Sequence, residues 1–353
     1  MIETIIQFGL EIYKNKDSIN RVFKPKYLSY DLNKLTSYYN NNKLVDKRIP
    51  YVELYDFVEN PNANVMFSRI DNEFTLENGN IIEIKTFQTS ALEEFKQKGK
   101  FTYDSKTVRL NDFIVTENEV HLIIIKSKYS DQVQSHLVLD WENKHLKQIG
   151  NISLRGFLLA KYGNILPPLT TNYLSNSIGI SAIIYYKKNN YLTPYLPFRN
   201  KSIFSKKKNE PALYEGIYHC SSSGALEWRD GLHSIDSIKN EMFREIHEEI
   251  GLEKNEIIAL EPISITRELL RAGKPQIFFI GFTKLDENHL IERRQQAINT
   301  AKNNADKIEI KDKHQMFEGE QLKSKKTMLS LEAIGNLYYC EKYLDKNGRE
   351  QCI

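Results

Sequence analysis

The sequence predicts a mixed α/β protein: an α/β/α sandwich over residues 166–353, preceded by a smaller β-rich domain over residues 1–165. Three observations lead there. Strand-like runs flank one strongly amphipathic helix in the C-terminal half, a second helical pattern closes the chain, and a Pro-Pro segment separates this block from a region of short β-branched runs. A chain of 353 residues is long enough for about two domains and a substantial core.

Residues Met1–Tyr13 read as an amphipathic helix, because Glu3, Gln7 and Glu11 break the apolar stretch. That pattern lacks the basic start and uninterrupted apolar run of a secretion signal. Within the N-terminal region, Ile81–Phe87, Val108–Val115, Val120–Ser127 and Ser135–Leu139 are rich in β-branched or aromatic residues and are expected as strands. Tyr162–Ser177 holds the Pro167-Pro168 pair and marks the expected domain boundary. Ile178–Tyr186 and Tyr191–Pro197 then read as a hairpin, and Ile257–Thr266 and Gln276–Thr283 as further strands. Glu287–Asp306 is a polar helical excursion, and Thr327–Tyr343 is the closing helix.

Between the hairpin and the later strands lies the clearest helix, Ser234–Glu249. Ser234 stands at the N-cap position and Gly251 where a terminating glycine belongs. Ile235, Ile238, Met242, Ile246 and Ile250 form one apolar stripe. Glu241, Glu245, Glu248 and Glu249 fall on another arc of roughly 100°. Like charges at i,i+3 and i,i+4 spacing cost a few tenths of a kcal/mol per pair. Carboxylates near a helix C-terminus also oppose the macrodipole. A solvated acidic face is the ordinary explanation for any one glutamate pair. The longer pattern instead suits a hard divalent cation, whose charge would remove the repulsion.

The run Arg244-Glu245-Ile246-His247-Glu248-Glu249-Ile250-Gly251-Leu252 resembles the second half of the Nudix box, Arg-Glu-apolar-x-Glu-Glu-x-Gly-apolar. The resemblance implies a loop–helix–loop that binds Mg2+, or Mn2+ in its place, through Glu245, Glu248 and Glu249, with Arg244 orienting a carboxylate. It implies a hydrolase that cleaves a phosphoanhydride in a nucleotide-like substrate. The first half departs from the pattern. Asp236 stands where the family has Glu, and Asp230, beside Gly231, stands where it has Gly. Gly224-Ala225-Leu226-Glu227 looks like the displaced glycine turn, so the entry loop is lengthened by about six residues. The resemblance covers about residues 175–353 and says nothing of the first 165.

Further candidates follow from position. Glu318 and Glu320, in a loop before the last helix, could orient the attacking water. Arg199, Arg267 and Arg271 could grip phosphate or ribose. His219 and Cys220 precede a serine-rich loop without a visible third partner, which favours a structural role. Three scattered cysteines match neither a disulfide framework nor a metal spacing, and the expected compartment is the reducing cytoplasm. No run is long and apolar enough for a membrane span. A formal net charge of +3, with Lys206–Lys208 and Lys323–Lys326 lacking interleaved aromatics, argues against nucleic acid as partner. The N-terminal region could shape the pocket or form a homodimer. The competing functional reading is a nucleotide-sensing module with little or no turnover.

Overall fold

Two neighbouring strands buried on both faces organise the molecule. In a computed structural model, residues 32–42, 46, 49–76, 81–97, 101, 103–117, 119–189, 191–199, 217–303, 314–315 and 329–348 are described. The expected helix over Met1–Tyr13 and both lysine clusters lie outside them.

The chain enters through helix α1 (Leu32–Tyr38) and strands β1 (Tyr51–Asp56) and β2 (Asn64–Glu73). Helix α2 (Ile82–Gln97) precedes strands β3 (Lys106–Val115) and β4 (Glu119–Lys128). Three short helices follow: α3 (Tyr129–Val133), α4 (Lys144–Gln148) and α5 (Leu154–Tyr162). Strands β5 (Gly179–Lys188), β6 (Tyr191–Tyr195), β7 (Phe198–Arg199), β8 (Ile217–Tyr218) and β9 (Ser222–Ala225) lead into helix α6 (Ile235–Ile250). After it come β10 (Ile257–Glu268), β11 (Lys274–Thr283), α7 (Glu287–Asn303), β12 (His314–Gln315) and α8 (Leu331–Asn347).

The central sheet runs β1-β10-β11-β5-β6, with β9 also paired to β5. Its β5–β11 pair is parallel and its other pairs are antiparallel. Alternate residues face opposite layers. Ile183, Tyr185, Phe278 and Ile280 join one core with Leu331, Ile334 and Leu337 of α8. Ile180, Ala182, Ile184, Ile277 and Phe279 join a second with Ile238, Met242 and Ile246 of α6. The three layers are thus α8, sheet and α6, the α/β/α arrangement the sequence predicts. Gly335 of α8 sits where a Cβ would come within 2.6 Å of the Tyr51 ring, so close approach of helix to sheet depends on that glycine.

Two expected strands are not strands. Ile81–Phe87 lies largely within α2, where Ile84, Phe87, Gln88 and Ala91 are buried at helical spacing. Its apolar run is too short for periodicity to separate helix from strand, and the helical stripe emerges only when the window reaches Ala91. Ser135–Leu139 forms successive turns after α3.

The smaller sheet, β2-β4-β3, continues into the larger structure along its β3 edge. Val108 N–H donates to the Leu226 carbonyl at 2.9 Å, and Ile178 N–H donates to the Val108 carbonyl at 2.8 Å. Trp228 N–H donates to the Lys106 carbonyl at 3.0 Å. The Tyr162–Ser177 segment is tied down in the same way. The Arg109 guanidinium donates to the carbonyls of Leu169 (2.6 Å) and Thr171 (2.9 Å). The buried Arg155 grips Asp140 with two bonds and the backbone of Leu269 and Leu270. These cations satisfy carbonyls that irregular buried backbone would otherwise leave open.

His136 joins three segments. Its Nε2 accepts from the Asn176 N–H at 3.0 Å, so Nδ1 carries the proton and donates to the Arg271 carbonyl at 2.6 Å. Burial, then the nearby Lys274 charge, holds its pKa well below the usual 6.5. Between the folded value and 6.5 the unfolded chain binds the extra proton, so this contribution is complete above that window and is lost as pH falls through it. Thermal unfolding at stepped pH checks this. Wild type should lose stability on acidification below about 6.5 more steeply than His136→Gln, and parallel curves would contradict the assignment.

Candidate functional site

Helix α6 positions the acidic cluster. Ser234 begins it in an extended conformation, and Gly251 ends it at φ 76°, the left-handed geometry that glycine favours. Between these caps the apolar stripe is anchored in the core, which fixes the azimuth of the adjoining, carboxylate-bearing arc.

Arg244 sits among four carboxylates. Its Nη2 lies 2.6 Å from Glu245 Oε1, its Nη1 2.8 Å from Glu248 Oε2 and its Nε 3.1 Å from Glu241 Oε2. Glu227, from the entry loop, is 3.9 Å away. A second arginine, Arg229, bridges Glu241 at 2.9 Å and Glu227 at 3.0 Å. Burial works to lower the Arg244 pKa, but Glu245, Glu248 and Glu241 outweigh it and hold the guanidinium above its usual range. The guanidinium therefore stays charged and offsets the repulsion expected along this arc.

Strand β9 holds the other two sides of the cluster. The Ser223 N–H donates to Glu249 Oε2 at 2.8 Å. A Cβ on Gly224 would lie 2.6 Å from the Glu245 carboxyl carbon, so only glycine leaves that carboxylate its position. This places Gly224, the displaced glycine of the sequence pattern, directly against the acidic helix. The extra loop residues dock on the small sheet. Arg69 lies over the Trp228 ring at 4.4 Å and donates to the Asp230 carbonyl at 2.8 Å, while Met66 bridges to Ser234.

From Glu249 a polar chain crosses to the α8 side of the sheet. Ser223 Oγ is 3.2 Å from His219 Nε2, and His219 Nδ1 is 2.6 Å from Ser330 Oγ at the α8 N-cap. Glu332 Oε2 lies 3.7 Å from His219 Nε2. Gln276 Nε2 donates to Glu332 Oε1 and to Ser181 Oγ, each at 3.1 Å, and Lys274 Nζ donates to Gln276 Oε1 at 3.3 Å. Sequence reasoning missed Gln276, Lys274 and Glu332. For Lys274 and Gln276 the signal was polar residues in a strand that is otherwise apolar; Glu332, in the first turn of a helix with further charged residues, carries no such signal. His219 and the buried Cys220 have the structural surroundings expected of them, but His219 also links the two ends of this chain.

The other expected site residues fall elsewhere. Arg267 is buried and donates to the carbonyls of Gly273 (3.0 Å) and Pro167 (2.5 Å). Desolvation lowers its pKa to about 10. It is committed to backbone, closing the β10–β11 turn against the Pro-Pro segment. Arg271 lies 3.5 Å from Glu268. Arg199 is placed by its backbone alone, between His314 and Ile217. Glu318 and Glu320 lie outside the described residues.

The donor set of Glu245, Glu248 and Glu249 is all carboxylate oxygen, which fits a hard divalent cation in kind. In the arrangement present, Arg244 takes Glu245 and Glu248. Among the described residues no group of three or more His, Cys, Asp or Glu side chains is placed to hold a metal ion. Bound metal would have to replace these guanidinium bonds. Among the described residues, no helix is long and apolar enough to cross a membrane.

No family model matches the chain, and no curated protein matches it. Among solved structures it is similar to a mutT/nudix family protein from Listeria innocua, with 16% identity over 48% of this chain and 95% of that one and a TM-score of 0.31. It is also similar to NrtR from Shewanella oneidensis, with 10% identity over 48% of this chain and 64% of that one and a TM-score of 0.27. At these TM-scores neither likeness bears on function.

Replacing Arg244 by Met removes the counter-charge and keeps much of the stem. We expect a loss of about 1–3 kcal/mol in urea unfolding, below the full cost of breaking a buried pair because the cluster is partly solvated. An unchanged midpoint would show that the carboxylates do not depend on Arg244.

Proposed function

We propose that this chain is a Nudix-type hydrolase that cleaves a phosphoanhydride in a nucleoside diphosphate linked to another moiety. The observation that carries the reading is the carboxylate face of α6 pressed against the edge of β9. Glu245 is accommodated by Gly224, and Glu249 is held by a backbone N–H.

Glu245, Glu248 and Glu249 would hold Mg2+, with Mn2+ as substitute. When bound, such an ion neutralises charge developing on phosphoryl oxygens. The protein's own residues set the stage for that. Arg244 orients the neighbouring carboxylates. Ser223 fixes the Glu249 rotamer from the strand side. The polar chain through His219, Glu332 and Gln276 offers donors and acceptors on the adjoining face of the sheet. Glu318 and Glu320 remain candidates for the base that orients water. Candidate substrates are ADP-ribose, dinucleotides such as NAD, nucleotide sugars and nucleoside triphosphates.

One observation favours a second reading, a nucleotide-binding module with little turnover: Arg244 occupies two of the three expected metal ligands. Mass spectrometry of a nucleotide panel separates the two readings. The hydrolase should cleave at a diphosphate with Mg2+ or Mn2+ and not with EDTA, and Glu248→Gln should lower the rate by at least about a hundredfold, the scale on which catalytic groups contribute. Tight nucleotide binding without cleavage under every metal condition would favour the binding module.

A further inference from the structure

Lys274 and Glu268 stand directly opposite each other across the β10–β11 ladder. Both are buried, with 7% and 4% of their surface exposed. Opposite charges in that relation ordinarily attract each other into contact. Here each turns aside. Among the described residues, Lys274 Nζ makes one hydrogen bond, to Gln276 Oε1, of the three an ammonium can donate. Glu268 Oε2 lies 3.5 Å from Arg271 Nε, and Glu268 Oε1 is buried without a hydrogen-bond partner among the described residues. Gly179 on β5 makes the arrangement feasible, because a Cβ there would collide with Lys274 Nζ and Gln276 Oε1. A donor and an acceptor, each with bonds unmade among the described residues, thus belong to facing residues of one strand pair in a buried setting, where each unmade bond is costly.

The surrounding charge indicates what could close both. Arg271 and Lys274 are balanced by Glu268 and Glu332, and the buried His136 is neutral. A phosphate would meet two carboxylates, and an ammonium would meet two cations. A neutral group that both accepts and donates meets neither difficulty, and a sugar hydroxyl is such a group. Desolvation raises the Glu268 pKa and lowers that of Lys274 to about 8, as expected for charges without full compensation.

We propose that Lys274 and Glu268 form a hydroxyl-recognition subsite, in which Lys274 Nζ donates to, and Glu268 Oε1 accepts from, a sugar carried on the diphosphate substrate. This rests on the phosphoanhydride reading. The contacts Lys274–Gln276–Glu332–His219–Ser223–Glu249 join the subsite to the carboxylate helix. The sugar and the diphosphate would thus occupy opposite ends of one polar track.

Calorimetric titration of the full chain tests this, using ADP, ADP-ribose and ADP-glucose with Ca2+ in place of Mg2+ and product formation followed in parallel. Wild type should bind at least one sugar-bearing ligand about tenfold tighter than ADP, the scale of one hydrogen bond to a charged group. Lys274→Met and Glu268→Gln should each bring that preference, taken relative to the same variant's own ADP affinity, close to unity. Glu268→Gln nearly preserves shape and carries the test if Lys274→Met does not fold. A wild type that binds ADP but not the sugar, or a preference that survives both substitutions, overturns the subsite and leaves only ordered water between the two side chains. Failure of wild type to bind any of the three ligands overturns the subsite, and failure to cleave any member of the nucleotide panel as well overturns the phosphoanhydride reading.

Discussion

Four glutamates on one face of α6 repel one another, and the Arg244 guanidinium is the charge that holds three of them in place. It touches Glu241, Glu245 and Glu248 and is itself backed by the Arg229–Glu241 pair. The rest of the site is built around that concentration of charge. Helix α6 needs its apolar stripe sunk in the core so that the acidic arc cannot rotate away. Strand β9 must come close, which requires glycine at 224. The entry loop must reach back to supply Glu227 and Arg229, and it is steadied there by the Arg69–Trp228 stack and the backbone bonds to β3.

Buried arginines play the same part in the scaffold. Arg155, Arg109 and Arg267 each close irregular backbone by donating to main-chain carbonyls, and each sits where segments distant in sequence converge. Their planar forks serve several acceptors at once. This explains how the Pro-Pro segment, which reads as a domain boundary, is tied into the fold. Two features also cross the boundary expected near residue 165. Strand β1 completes the central sheet beside β10, and the small sheet shares a core with α6.

Much of this was legible in the sequence because it depends on local pattern. The α6 caps, its apolar stripe and its carboxylate arc follow from helical periodicity and from Ser234 and Gly251. The β5–β6 hairpin follows from two β-rich runs around a polar turn. Long-range features were not legible. Arg267 reads as a surface phosphate ligand because sequence shows its charge but not the Pro167 carbonyl it meets. Ile81–Phe87 reads as a strand because burial at Ala91 decides the period and lies beyond the run. Lys274, Gln276 and Glu332 converge only when β11 pairs beside β5 and α8 packs across them. Gly224 could be noticed as a displaced glycine, but its contact with Glu245 depends on how β9 meets the helix.

Titration of the full chain with Mn2+, followed by electron paramagnetic resonance, tests the central claim most directly. If α6 is a metal platform, wild type should show saturable binding that Mg2+ competes away, and a variant with Glu245, Glu248 and Glu249 all changed to Gln should lose it while remaining folded. Absence of saturable binding in wild type, or equal binding in the folded triple variant, would contradict the account and leave Arg244 as the permanent partner of these carboxylates.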